Sequence, residues 1–431
     1  MQHVSSATDL SVRTALSANI DAMLAAEQVC EQIREGRDGS DESASLQQTI
    51  DLALVFVGGD HATQAARIYE QVQKRLSPGL LLGVTAQSVI GDDVELENAP
   101  GVSLLCASLP GTQLQGFTYR QLPHATPSDR DAMLSLAEEV GAGPDSRAIL
   151  FFGDPFSVPG GPLVDALSAL PRVVPGLRRL PVVGGMASAG KVPGQNIIAL
   201  NDHTMRTGGA GVMIRGDITM DTLVSQGCRP IGQPLVITEA KRNVVQSLGG
   251  RPAMQVVRDM VDALSNEDRA LVSGGLFIGR VVNEYKDRFG RGDFLIRAVL
   301  GVDQGSGAIA VGDSLRVGQT VQFQLRDATT AREDLELLLE AQQLLGPAAG
   351  GLLCTCSGRG RRLFSSANHD AALISRRLGA QADPLAARPM PMGGFFAAGE
   401  IGPIGDRSFV HGHTASVALF RPLRLSFDEA H

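Results

Sequence analysis

The sequence predicts an α/β (α+β) protein of two tandem domains, each a mixed β-sheet flanked by helices. Three observations carry that expectation. Two continuous apolar runs, Leu52-Ala-Leu-Val-Phe-Val57 and Ala148-Ile-Leu-Phe-Phe152, end at Gly58-Gly-Asp60 and Gly153-Asp154, which suits strands covered on both faces. Helical segments follow each run, at 62 to 76 and 163 to 170. The glycine turns that come next, Gly83-Val-Thr-Ala86 and Gly184-Gly-Met-Ala187, echo each other, with 101 positions between Gly83 and Gly184 and 96 between Val55 and Phe151. Residues 51 to 215 therefore read as one domain of two strand–helix–strand–strand halves, joined through Pro123 to Asp131.

Ahead of that domain, Ile20, Met23, Ala26, Cys30 and Ile33 recur at three- and four-residue steps, the spacing of one helix face. Residues 35 to 44 are polar with Gly and Ser and read as an exposed loop, so residues 1 to 50 make an N-terminal helix and loop. Leu81 to Gly91 and Val102 to Ala107 supply further strands of the first half. A second domain runs from 224 to 421. In it Val236 to Leu248 is extended, Gly249-Gly250 turns the chain, and Pro252 sits where a first helical turn tolerates it. Val321, Phe323 and Leu325 alternate with polar residues as a half-buried strand does. Thr330-Ala-Arg-Glu333 spells a capping box opening a helix that Gly346-Pro347 closes. Leu352 to Cys356 and Ser416 to Phe420 are strand-like, Asp370 to Leu378 helical, and residues 422 to 431 form a tail.

Charge and cysteine content narrow the function. A net charge of −8 and a pI of about 5.5 give no basic footprint for nucleic acid or an anionic membrane, so neither is an expected partner. Five sparse cysteines do not make a disulfide framework and fit a reducing compartment. No window reaches the 18 or so apolar residues of a spanning helix, and no signal-peptide pattern opens the chain. The expected location is cytoplasmic.

Several strings imitate chemistry. Gly185 to Lys191 matches most of a phosphate loop, but Val192 stands where Ser or Thr should hold magnesium, and Pro193-Gly194 forbids the helix that would cradle the anion. Gly312-Asp-Ser-Leu315 spells a hydrolase signature, yet the chain continues as strand rather than turning sharply into a helix. Cys354-Thr-Cys356 reads as buried core cysteine, since two thiols alone fall short of a zinc ligand set. His411 and His413 lack the further ligands of a metal set. Neither a metal nor a cofactor is implied.

What remains is a constellation in the second domain: Asn283-Glu284, Cys356-Ser-Gly-Arg359 and Gly399-Glu400, each after a strand-like run, where layered α/β folds collect ligands. There Arg359 clamps a carboxylate by a two-pronged hydrogen bond, Glu400 accepts from an amine, and Cys356, Asn283, Glu284, His413 and Gly399 line the pocket. Spacing alone slightly favours a buried Arg359–Glu400 ion pair that merely closes the core. A nucleophilic Cys356, activated by Arg359 or a neighbouring His, is the enzymatic alternative, and a structural or adaptor protein the third.

The strings Gly83-Val-Thr-Ala86 with Ile90-Gly91, Val244 to Ala253, Cys356-Ser-Gly-Arg359 and Gly394-Phe-Phe-Ala-Ala-Gly-Glu-Ile401 resemble the paired N- and C-terminal domains of FIST proteins (F-box and intracellular signal transduction). The resemblance spans about residues 50 to 420. It implies a sensory module that binds a small polar metabolite such as an amino acid and addresses a signalling protein partner, and not an established enzyme.

Overall fold

The computed structural model describes residues 10–35, 49–382 and 388–423. The polar loop expected at 35 to 44, beyond Glu35, and nearly all of the tail from 422 lie outside these residues. The chain forms two compact units. The first takes the described residues up to Val224, then Leu338–Val410 and those from Ala415 onward; the second takes Ser225–Leu337 with His411–Thr414.

The first unit contains three sheets of six strands with one design. In the first sheet β2 (Leu52–Gly58) runs parallel to β3 (Leu80–Ala86) across the helix Ala65–Leu76. On its other side β2 pairs antiparallel with β6 (Gly101–Ser108), and β6 with β1 (Ser11–Ser17). The second sheet repeats this: β8 (Ser146–Gly153) is parallel to β9 (Val182–Met186), with β12 (Gly209–Gly216) and β7 (Thr112–Thr118) following outward. The third does so again with β22 (Gly350–Cys356), β23 (Met392–Ala397), β26 (Thr414–Pro422) and β13 (Ile218–Gln226). β2 and β3 are buried along their whole length, and β8 and β22 at every position but one, which explains why these strands read as largely apolar runs.

Each sheet is completed by a hairpin from another repeat. The strands β4 (Val89–Gly91) and β5 (Val94–Leu96), which follow β3, join the third sheet beside β23. β10 (Ile198–Leu200) and β11 (His203–Met205) join the first, beside β3. β24 (Glu400–Ile404) and β25 (Arg407–His411) join the second, beside β9. The exchange is cyclic. One ring from each repeat meets at the centre: Phe56, Phe152 and Phe395 are fully buried, with centroids 5.3–5.8 Å apart.

The repeat seen in the sequence thus has a third copy. It is interrupted after β13, where residues 225 to 337 form a compact unit of their own. There β15 (Leu235–Lys241), β16 (Val244–Leu248), β20 (Ala308–Val311), β19 (Phe294–Asp303), β18 (Leu276–Val281) and β21 (Thr320–Arg326) pair in that order, and β21 returns to both β18 and β15. The result is a closed six-stranded antiparallel barrel. It is filled by Ile237, Val245, Ile278, Ile309, Val321 and Phe323, among others. After Leu337 the chain returns to the first unit to supply its third sheet.

Two local expectations change. The strand Ser11–Ser17 precedes the first helix, which begins at Ala22 rather than 18. The helix expected to open on a Thr330 capping box runs Ala328–Gln343 instead. Asp327 accepts from the Thr329 and Thr330 amides and the Thr330 hydroxyl, since a carboxylate one turn earlier is the stronger acceptor for the free amides. Among the described residues no helix is long and apolar enough to cross a membrane.

Candidate functional site

β22 ends in a tight turn that places Arg359. Ser357 N donates to Ala397 O at 3.1 Å and Arg359 N to Cys356 O at 2.8 Å. Gly360 follows with φ +57°, and a Cβ there would lie 2.6 Å from Glu97 Oε2, so the position favours glycine twice over. The Arg361 amide donates to both Glu97 oxygens, at 3.0 and 3.1 Å.

The Arg359 guanidinium is buried, 1% exposed. Its Nε donates to Asp370 Oδ2 at 2.6 Å and its Nη2 to Asp370 Oδ1 at 2.8 Å. The fork expected to grip a ligand carboxylate is thus held by a carboxylate of the chain itself. The spacing-based alternative is corrected as well: the two-pronged partner is Asp370, eleven positions away in a rigid turn-and-helix segment, and not Glu400. Thr355 Oγ1 donates to Asp370 Oδ2 at 3.0 Å, and His369 Nδ1 lies 3.1 Å from Asp370 Oδ1. The His369 ring stacks on Phe364 at 3.5 Å, and Arg359 sits 5.3 Å from the Phe364 centroid.

The hairpin β4–β5 brings a second carboxylate. Glu95 is 6% exposed, and its Oε1 accepts from the Ala371 amide at 2.9 Å in the first turn of the helix His369–Ala382. Burial, then the neighbouring Asp370 charge, push the Glu95 carboxyl up to about 8. Burial also opposes ionisation of Asp370, but the Arg359 charge and its hydrogen bonds outweigh that and hold Asp370 well below the usual carboxylate range. Two adjacent acids are driven apart by their surroundings: one stays charged against the guanidinium and the other is neutral at pH 7. Among the buried atoms without a hydrogen-bond partner in the described residues are Arg359 Nη1 and Glu95 Oε2.

The other expected residues fall into two groups. Cys356 and Glu400 lie close enough to Arg359 to act on its charge. Cys356 is half-buried, and its Sγ accepts from the Gly358 amide at 3.3 Å. Glu400 is fully buried, paired through its backbone with Gly185, and raises the Cys354 thiol further after burial has done so. Gly399 O accepts from Met186 N at 2.8 Å. Asn283, Glu284 and His413 belong to the second unit. Asn283 Oδ1 accepts from the Tyr285 amide at 3.0 Å and Glu284 Oε1 from the Thr320 amide at 2.9 Å, while the His413 ring meets Phe277 edge-on at 4.5 Å.

Asp370, Glu95, Glu97 and His369 went unrecognised in the sequence. Asn368-His-Asp370 ahead of a helical run is a visible helix-start signal. Nothing near Glu95 announces a partner some 275 positions along the chain. The imitation motifs are occupied locally: Gly190 N and Lys191 N are taken by Asn196 Oδ1 and Gln195 Oε1, and Ser314 lies in an irregular stretch between β20 and β21.

A buried, half-satisfied ionic cluster thus sits at the end of β22. Comparison with known proteins gives the family. The FIST N domain matches residues 51–251 and the FIST C domain residues 253–403, so the chain belongs to the FIST family of signal-transduction sensory modules. An uncharacterized protein of Mycobacterium tuberculosis is 38% identical over 371 residues, 86% of this chain and 91% of the relative. One from Mycobacterium bovis is 39% identical over 371 residues, 86% of this chain and 90% of the relative.

Proposed function

We propose that the chain is a cytoplasmic sensor that binds a small zwitterion of the amino-acid class at the turn after β22 and reports its occupancy to a signalling protein partner. The observation that supports this reading is the pair of buried atoms of opposite chemistry, the donor Arg359 Nη1 and the acceptor Glu95 Oε2, neither with a partner among the described residues. Leaving such atoms unsatisfied costs about 1–3 kcal/mol each, and a ligand carrying a carboxylate and an ammonium group satisfies both. Asp370 fixes the guanidinium plane, so only its outer nitrogen is offered. Glu95 takes the amine-reading role expected of Glu400, which adds negative charge nearby. The half-buried Cys356, Ser357 and Gly358 form the approach.

Because free Glu95 is protonated below about pH 8 and an ammonium favours its ionised form, binding releases a proton and tightens as pH rises toward 8. Isothermal titration against an amino-acid panel, run in two buffers of different ionisation enthalpy, tests this. Heat with proton release from the wild type, lost in a folded Glu95→Gln protein, is the expected result. Silence across the panel overturns it.

A second reading rests on Cys356. Cys30, Cys106, Cys228 and Cys354 are all buried, whereas Cys356 is partly open, accepts a backbone N–H at sulfur and lies beside a guanidinium, the setting that favours a thiolate nucleophile. This reading expects one thiol of five to alkylate fast; uniformly slow labelling removes it.

A further inference from the structure

A separate cavity of about 740 Å³ opens in the first unit, at the end of the first sheet where β1, β2 and β3 begin. Arg13, Arg34 and Arg75 reach it from three directions, over apolar walls of Ile33, Ile50 and Leu76. Arg13 comes from β1, while Arg34 and Arg75 close the last turns of the helices Ala22–Glu35 and Ala65–Leu76. Two buried thiols feel these charges: Arg75 and Arg34 act on Cys30, and Arg13 on Cys106, which lines the cavity. Those thiols do not neutralise them, because burial pushes Cys30 up to about 11 and Cys106 higher still.

The charge balance is uneven. Arg75 has a carboxylate partner in Glu27. Arg13 donates only to Ile33 O, at 3.2 Å, and Arg34 only to Arg75 O, among the described residues. A carbonyl satisfies a donor without cancelling its charge. Asp51 is the acid on the wall, and its Oδ2 is occupied by the Leu109 amide at 2.6 Å. The volume falls in the range of small-molecule sites, which combine mostly apolar walls with a few placed polar groups.

We infer that this cavity binds a small organic anion with an oxoacid head, carboxylate or phosphate, read by Arg13 and Arg34, and an apolar body against Ile33, Ile50 and Leu76. Its residues are not those of the Arg359 turn, so it stands whether or not the proposed sensor site does.

Isothermal titration of the full chain at low ionic strength uses four probes: phenyl phosphate, benzoate, inorganic phosphate and benzyl alcohol. At least one aromatic anion is expected to bind, and the tighter of the two names the head group; phosphate without the ring is expected to bind at least ten-fold more weakly than phenyl phosphate, and the neutral alcohol not at all. Arg34→Gln, at an exposed helix end, and Arg13→Gln should each weaken the anion at least ten-fold while circular dichroism stays unchanged. Absence of anion binding at millimolar concentration overturns the inference. So does equal binding of benzyl alcohol, equal binding of bare phosphate and phenyl phosphate, or wild-type affinity in a folded Arg34→Gln protein.

Discussion

At the scale of single residues, Arg359, Asp370 and Glu95 hold most of the consequences. Removing one member of a buried pair leaves the other charge uncompensated, so Asp370→Asn should cost about 3–5 kcal/mol, read as a lower urea midpoint. Glu95 makes an opposite prediction, about pH. Its carboxyl is raised to about 8 in the folded chain against about 4.3 in an unfolded one. Between those values the folded state binds the extra proton, so stability is greatest at the acidic end and falls as pH rises through the window. The slope is up to about 1.4 kcal/mol per pH unit. Asp370, held low by Arg359, stays ionised throughout and does not blur the effect. Glu95→Gln should flatten the profile between pH 4.5 and 8 in thermal-melt series; an unchanged slope would assign it to other groups.

At the scale of elements, the glycines of the parallel strands separate structural from incidental positions. Gly83, Gly184 and Gly394 occupy equivalent register positions opposite Val55, Phe151 and Leu353. A Cβ on Gly394 would lie 1.9 Å from Leu353 O. Gly394→Ala should therefore cost more than about 3 kcal/mol or prevent soluble accumulation. Gly161, inside the helix Gly160–Ser168 with nothing within 4 Å, gives the contrast: Gly161→Ala should be neutral or stabilise by up to about 1 kcal/mol, seen as a higher melting temperature. These elements also show what could be read in advance. Leu52 to Val57 and Ala148 to Phe152 announced buried strands because both faces are covered and every position is apolar. Ser11 to Ser17 did not, since this edge strand carries polar residues in four of its seven places, at Ser11, Arg13, Thr14 and Ser17. The third repeat was hidden by the barrel inserted between β13 and β22. Arg359 and Cys356 were legible as a chemical string after a strand, but the acids facing them arrive on a borrowed hairpin and a helix start, and pairing across such distances leaves no periodic trace.

At the scale of the whole molecule, the barrel is an insertion that closes on itself. Ser225 Oγ and the Gln226 amide donate to Asp334 Oδ2 at 2.8 and 2.9 Å, so the entry and exit of the inserted chain are fastened together, as in domains that tolerate insertion. Residues 225 to 337, expressed alone, should give a folded β-protein with dispersed amide resonances and a cooperative melt; a collapsed spectrum would mean that the strands need the rest of the chain. The cyclic hairpin exchange has a different consequence, in the order of synthesis. The second sheet waits for β24 and β25, near residue 400, although its own parallel pair is finished by Met186. A nascent chain halted before that point exposes the flank of β9, an open edge of the kind that recruits other chains. Synthesis of this protein on the ribosome therefore has a long vulnerable interval, one that a holding chaperone could cover only by masking that flank until residues 400 to 411 emerge.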